Sequence, residues 1–300
     1  MTSRPAGRRR PGVSGLLGQG SRRLTRAGDE SAAATARILL CHALDVEPAR
    51  LILCPDPGPD QEQRYRDLID ACAAGRPAQY LTGLAWFRSV RLAVGPGVLI
   101  PRPETELVVG EAVQACRDLV ARDIRPVVVD LCTGSGAMAA ALVREVPTAR
   151  VHAVELEPEA LRWARRNLSG TGVQLHPGDA RTVPAGMDGR VDVVMTNPPY
   201  LPEALADQVQ DEVLANEPGS ALFSGADGLD LVRDLVPRAA RLLRAGGILV
   251  MEHDPSQQHS LPALLTADGH WDWIRDHADL TGRSRFVTAV RRDEGEVVEG

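Results

Sequence analysis

Four short apolar runs, Val127 to Leu131, Val151 to Glu155, Val191 to Thr196 and Ile248 to Glu252, recur along the second half of this 300-residue chain with helix-like segments between them. Runs this short, rich in aliphatic residues and nearly free of polar alternation, belong to strands covered on both faces. Strand alternating with helix leaves few architectures, and the leading one is a mostly parallel sheet with helices on both sides. A further strand is predicted at Val173 to His176, and the stretches Trp273 to His277 and Arg285 to Arg291 read as two closing, antiparallel strands. The predicted fold class is α/β, a doubly wound, mostly parallel, seven-stranded Rossmann-like sheet.

The first third of the chain follows a different pattern. From Glu30 to about Arg76 apolar residues fall at helical spacing, as in Ala36, Leu39, Leu40, Ala43 and Leu44, and later Tyr65, Leu68, Ile69 and Cys72. Pro55, Pro57, Gly58 and Pro59 break the run. A small domain of four or five short helices is therefore expected over residues 27–80. Residues 81–102, with alternating apolar positions and Gly83, Gly95 and Gly97, predict a hairpin linker to the sheet domain at 103–292. Pro103, Glu104 and Glu106 predict a helix start, with proline at the first helical position and acids complementing the dipole. Residues 1–26 carry seven arginines and no acid, which predicts a disordered basic arm, and residues 293–300 read as a tail.

Composition removes several classes of chemistry. All 34 Lys+Arg positions are arginine, so Schiff-base catalysis, a Walker A phosphate loop and a Tyr/Lys dehydrogenase pair are excluded. A net charge of -6 argues against stable nucleic-acid binding, which draws its affinity from clustered cations. The five cysteines, Cys41, Cys54, Cys72, Cys116 and Cys132, are odd in number and form no C-x-x-C pair, so they read as buried thiols rather than disulfides or metal ligands. No apolar run approaches the roughly 18 residues that cross a bilayer, and a cytoplasmic monomer is expected.

Two loops carry the chemistry. Asp130-Leu131-Cys132-Thr133-Gly134-Ser135-Gly136 lies where the first strand gives way to a helix, and glycines there let a ligand approach the backbone. Glu155, at the end of the next strand, is placed to accept hydrogen bonds from ribose hydroxyls. Both features fit a nicotinamide dinucleotide as well as S-adenosylmethionine. Asn197-Pro198-Pro199-Tyr200 follows the apolar strand Val191 to Thr196 and separates the two. An amide or base amino nitrogen is a poor nucleophile because its lone pair is delocalised. The Asn197 side-chain oxygen and the Pro198 carbonyl are suited to accept its two N–H bonds while Tyr200 stacks on its face, and the prolines stiffen that arrangement. Gly178-Asp179-Ala180 reads either as an adenine-facing loop or as a plain turn. These residues leave open a protein amide, an adenine N6 group and, more remotely, hydride transfer; a binding module is the weakest fit.

With these residues assembled, the chain resembles the HemK-type protein-glutamine methyltransferases over about residues 30–292. The likeness rests on Arg76-Pro77-x-Gln79-Tyr80-Leu81-Thr82-Gly83, on Leu99 through Glu106, on the glycine loop and on Asn197 through Tyr200. Glu217-Pro218, Ala221-Leu222, Gly225, Asp227-Gly228, Gly246-Gly247 and Glu252-His253 continue it. The resemblance implies S-adenosylmethionine as cofactor and the glutamine of the Gly-Gly-Gln loop in peptide-chain release factors as target, with a ribosomal-protein glutamine as the alternative. It also implies that the helical domain docks the protein substrate. By the same likeness Asp130, Leu131, Cys132, Thr133, Gly134 and Gly136 hold the methionine end, Glu155 the ribose, and Asp179 and Ala180 the adenine. Asn197, Pro198, Pro199 and Tyr200 hold the glutamine, and Arg102 to Glu106 wall the site. The family usually has glycine where Cys132 stands and often aspartate where Glu155 stands. Trp86-Phe87-Arg88-Ser89 follows the family pattern loosely, and Glu252-His253 leads into Asp254-Pro255 rather than glycine.

Overall fold

The computed structural model describes residues 11–293 and divides into two units, the first ending at Gly83 and the second beginning at Leu84. The first unit holds α1 (Val13–Arg26), α2 (Ala32–Leu44), a 3-10 turn (Pro48–Leu53), α3 (Pro59–Ala73) and α4 (Ala78–Thr82). The helix α1 corrects the expectation of a disordered arm through residue 26. Its buried residues Leu16, Gly20 and Leu24 recur every fourth position, while Arg22, Arg23 and Arg26 face solvent. That spacing turns an arginine-rich segment into an amphipathic helix. Gly20 permits the close approach of α3, because a Cβ there would lie 2.0 Å from the Tyr65 hydroxyl. That buried hydroxyl donates to the Leu16 carbonyl at 3.3 Å. Residues 1–10 of the expected arm and 294–300 of the expected tail lie outside the described residues.

The second unit opens with the antiparallel hairpin β1 (Leu84–Phe87) and β2 (Val90–Ala93). It continues through α5 (Thr105–Val120), β3 (Val127–Leu131), α6 (Ala137–Glu145), β4 (Arg150–Glu155), α7 (Pro158–Leu168), β5 (Gln174–Pro177) and β6 (Val191–Thr196). The remainder is α8 (Asp211–Asn216), α9 (Asp230–Leu242), β7 (Leu243–Glu252), α10 (Ser260–Asp268), β8 (Trp271–Ala278) and β9 (Ser284–Arg291). The expected position of Pro103 is corrected here. The regular helix begins at Thr105, because the preceding stretch closes with i→i+3 bonds, from Thr105 to Arg102 and from Glu106 to Pro103.

The seven strands run in the order β5-β4-β3-β6-β7-β9-β8. The first five are parallel, and β9 pairs antiparallel with both β7 and β8. All six residues of β6 are buried, which explains its mostly apolar sequence, and the acid within it, Asp192, accepts from the Val127 amide at 2.7 Å and from Arg244 Nε at 2.6 Å. Leu235 and Leu242 of α9 and Leu261 and Leu265 of α10 pack with Val129, Val194 and Leu249 on one face, while α5, α6 and α7 cover the other. Arg88 secures the hairpin with two bonds to Glu145, at 2.5 and 2.9 Å, and one to the Glu106 carbonyl at 2.7 Å. The strand order reverses between β3 and β6, and ligand crevices of such sheets open above the carboxyl ends of the strands at that point.

If α1 is a packed helix, Leu24→Ala will cost about 2–5 kcal/mol in urea unfolding. Unchanged stability would return residues 13–26 to a solvated arm.

Candidate active site

The loop after β3 is built on left-handed backbone. Cys132, Gly134 and Gly136 have φ of 61°, 58° and 83°. A side chain at such an angle costs about 1–2 kcal/mol, which is the physical reason glycine suits this turn. Cys132 accepts that strain with its thiol set between the apolar core and the cavity beside the loop, and burial pushes its proton affinity up. At Gly136 a Cβ would come within 2.9 Å of the Leu168 side chain.

Two carboxylates hold the loop in place from different sides. Asp130 is fully buried, and its Oδ2 accepts from the Thr133 hydroxyl at 2.5 Å and the Ala139 amide at 3.1 Å. Desolvation pushes its pKa up to about 7 against those bonds. Glu155 Oε2 accepts from the Gly134 amide at 2.7 Å and Oε1 from the Glu157 amide at 2.8 Å. Cys132, Gly134 and Glu155 line the cavity, whereas Asp130, Leu131, Thr133 and Gly136 lie off its wall and brace the turn.

That cavity, about 370 Å³, also takes in Asp179 and Ala180, so the loop after β5 does face it. The buried Arg238 of α9 anchors this loop through the Pro184 carbonyl at 2.7 Å and Asp188 at 2.9 Å. The wall carries five carboxylates, Glu155, Glu157, Asp179, Asp230 and Asp234, against one guanidinium, Arg181. Such a wall suits a ligand bearing positive charge and repels the pyrophosphate of a dinucleotide.

Asn197 lines this cavity and also a second one of about 420 Å³, which includes Arg102, Pro103, Glu104 and Tyr200. Leu99 and Ala221 share that partition position. Pro199 faces the first cavity and Tyr200 the second, and Pro198 is buried. Arg102 is held by a bond of 2.7 Å to the buried Glu217. The Arg102 to Glu104 turn is thus a wall of the second cavity, and Thr105 lies behind it. The Asn197 amide donates to the Thr105 hydroxyl at 3.1 Å, and the Tyr200 hydroxyl donates to Glu252 Oε1 at 3.0 Å. Gln257 Nε2 donates to the Tyr200 carbonyl at 2.8 Å and the Asp227 carbonyl at 3.0 Å. Gly228, at φ 76°, is required beneath, since a Cβ there would lie 2.0 Å from the Tyr200 carbonyl oxygen. Roles for Thr105, Glu252 and Gln257 were not readable from sequence spacing, which gives no sign of partners 92, 52 and 57 residues apart.

Of the thiols, Cys41 and Cys116 are buried, while Cys54, Cys72 and Cys132 are half-buried, correcting the expectation that all five are enclosed. None of the described helices is long and apolar enough to cross a membrane.

A family model described as the PrmC N-terminal domain matches residues 15–83, and one described as a methyltransferase domain matches residues 128–216. A release factor glutamine methyltransferase of Streptomyces coelicolor is 46% identical over 273 residues, covering 91% of this chain and 96% of the relative. One of Mycolicibacterium smegmatis is 43% identical, with 89% and 94% covered. A third relative, from Streptomyces pristinaespiralis, is named a 4-amino-L-phenylalanine/4-methylamino-L-phenylalanine methyltransferase and is 41% identical over 94% of this chain and 96% of its own.

Two outcomes follow for the loop. Cys132→Val, a β-branched residue at φ 61°, will lower stability by about 1–3 kcal/mol in chemical denaturation and weaken ligand binding in the first cavity; wild-type values for both would remove the strain. Because the folded pKa of Asp130 lies above its unfolded value, the folded state keeps a proton that the unfolded chain has released. Its contribution to stability is therefore full below about pH 4 and is lost as pH rises toward 7. Asp130→Asn will flatten that decline in pH-dependent unfolding, and an unaltered slope would contradict it.

Proposed function

The chain belongs to the release factor glutamine methyltransferase family, and from that premise we propose that it methylates the side-chain amide nitrogen (N5) of the glutamine in the Gly-Gly-Gln loop of peptide-chain release factors, using S-adenosylmethionine. The observation that carries the reading is the position of Asn197 in the partition shared by two cavities. One cavity is acid-walled and suits the cationic cofactor, and the other is the place for the target glutamine.

The proposed roles follow the walls. Glu155 takes the ribose hydroxyls, Cys132 and Gly134 face the methionine end, and Asp179 and Ala180 face the adenine. Bound S-adenosylmethionine supplies an electrophilic methyl group on a sulfonium. The protein's task is to present the glutamine nitrogen to it. Asn197 Oδ1 and the Pro198 carbonyl accept the two N–H bonds of the glutamine amide, turning its lone pair toward the first cavity. Tyr200, tethered through its hydroxyl and its carbonyl, forms the face against which that amide lies. No base need act before attack, and the excess proton leaves to water afterwards. Acid groups around the first cavity also favour a cationic cofactor over its neutral product, which assists product release.

The Streptomyces pristinaespiralis relative is named for an aromatic amine, another nitrogen conjugated to a π system, which makes such an amine the second acceptor to compare. Incubation with labelled S-adenosylmethionine therefore compares three acceptors: a release factor with its Gly-Gly-Gln loop, the same factor with that glutamine replaced, and 4-amino-L-phenylalanine. Label that requires the glutamine supports the reading; label on the amino acid alone overturns it. Asn197→Ala will lower turnover at least about 100-fold while leaving cofactor affinity within a fewfold. Asn197→Asp, which adds charge and loses the amide donor, will do the same, and a wild-type rate in either variant would contradict the geometric role.

A further inference from the structure

Asn197 is useful to a glutamine nitrogen only with its oxygen turned toward the second cavity, since an NH2 group there would confront the N–H bonds it is meant to accept. Resting on the methylation reading above, we propose that Thr105 and Glu252 are positioning residues that set this orientation through a directional relay of hydrogen bonds.

The direction comes from Glu252. It closes β7, is 1% exposed, and as a carboxylate accepts hydrogen bonds but offers no proton. Its Oε1 takes the Tyr200 hydroxyl at 3.0 Å, and its buried Oε2 has no hydrogen-bond partner among the described residues. The hydroxyl beside this carboxylate is that of Thr105, and the proposed relay has it donate its proton to the unpartnered oxygen. Thr105 is itself only 4% exposed, so no solvent competes for its proton. With that proton committed to Glu252, the Thr105 oxygen is left as an acceptor, and the group that meets it at 3.1 Å must be the Asn197 NH2. Oδ1 is then free for substrate. Reverse the first bond and the sequence reverses: a protonated or amide side chain at 252 releases the Thr105 proton toward Asn197 Oδ1, the Asn197 amide turns over, and its NH2 faces the glutamine.

The same carboxylate steadies Tyr200, so one buried charge governs both side chains that meet the target amide. Neither residue touches the methyl acceptor, which distinguishes them from Asn197. The charged and titratable groups that bear on Glu252 are Glu104 from the turn before α5, Tyr200 from the loop after β6 and Arg285 from β9. Burial dominates among these influences and pushes its pKa up to about 7. The relay is accordingly intact above that pH and fails as pH falls through it, because protonation gives Glu252 a donor of its own.

Thr105→Val removes the hydroxyl at constant shape, and Thr105→Ser restores it. On a release factor that the wild-type enzyme methylates, Thr105→Val is expected to lower kcat roughly 100-fold with S-adenosylmethionine affinity and Tm unchanged, and Thr105→Ser to recover kcat to within about threefold. Glu252→Gln, nearly isosteric, is the second variant should Thr105→Val fold poorly; it is expected to lose kcat to a similar degree and to lack the acid limb near pH 7 seen in the wild type. A merely structural role would move Tm and cofactor affinity and leave the pH profile in place. Wild-type kcat in either Thr105→Val or Glu252→Gln overturns the inference. Failure of the wild-type enzyme on the release factor overturns instead the substrate reading on which it rests.

Discussion

Across the parallel pairing of β3 with β6, the Thr196 hydroxyl donates to the Leu131 carbonyl at 2.7 Å and ties together the ends of two strands at the point where the sheet changes direction. The rest of the site depends on that junction. The loop leaving β3 turns at once through Cys132 and Gly134, and the loop leaving β6 starts at Asn197, so both open onto the same cavity wall. A register slip of one residue between these strands would invert the faces of every side chain on them and separate the loops. The glycine loop on one side and the proline-stiffened loop on the other therefore act as one device only because an entirely buried strand fixes their spacing.

Buried carboxylates do the orienting here, each by accepting hydrogen bonds in its ionised form. Asp130 and Glu155 gather the hydroxyl and amide donors of the turn after β3, and Glu252 gathers the Tyr200 hydroxyl beneath the turn after β6. Burial raises the pKa of all three against those bonds. A carboxylate in such a place costs desolvation free energy and returns directionality, because an ionised acid leaves its neighbours no choice about which way to donate. Reactions at a delocalised nitrogen benefit from that more than from a base, since the barrier lies in aligning a weak lone pair rather than in removing a proton.

Much of this was legible in the sequence, for reasons that residues make plain. Val127 to Leu131 and Val191 to Thr196 have the bounds that their sequence predicts because central parallel strands are buried on both faces and are mostly apolar, with Asp130 and Asp192 as their buried acids. Of the two closing strands only β9 runs against the five parallel ones; β8, antiparallel to β9, runs with them, and Trp271–Ala278 extends beyond its expected limits. Residues 13–26 misled because seven arginines in the first 26 positions masked Leu16, Gly20 and Leu24, a stripe whose middle member is a glycine and adds no apolar signal. Pro103 marks a tight turn rather than a helix start, since its neighbours close i→i+3 bonds along the wall of the second cavity. Within the glycine loop, spacing marks the segment but not which members line the cavity and which turn into the core. That Asp130 braces the turn by accepting from Thr133 and Ala139 follows from the side-chain direction at a strand end, which spacing does not give.

The central claim is geometric: the glutamine amide lies in the second cavity with its two N–H bonds on Asn197 and Pro198. A crystal structure of the enzyme with S-adenosylhomocysteine and a release factor bearing the Gly-Gly-Gln loop measures that directly. The account predicts the glutamine nitrogen within hydrogen-bond distance of both Asn197 Oδ1 and the Pro198 carbonyl, with Tyr200 against the amide face and the sulfur in the first cavity. A glutamine nitrogen bonded elsewhere, or a substrate loop that leaves the second cavity empty, would contradict it.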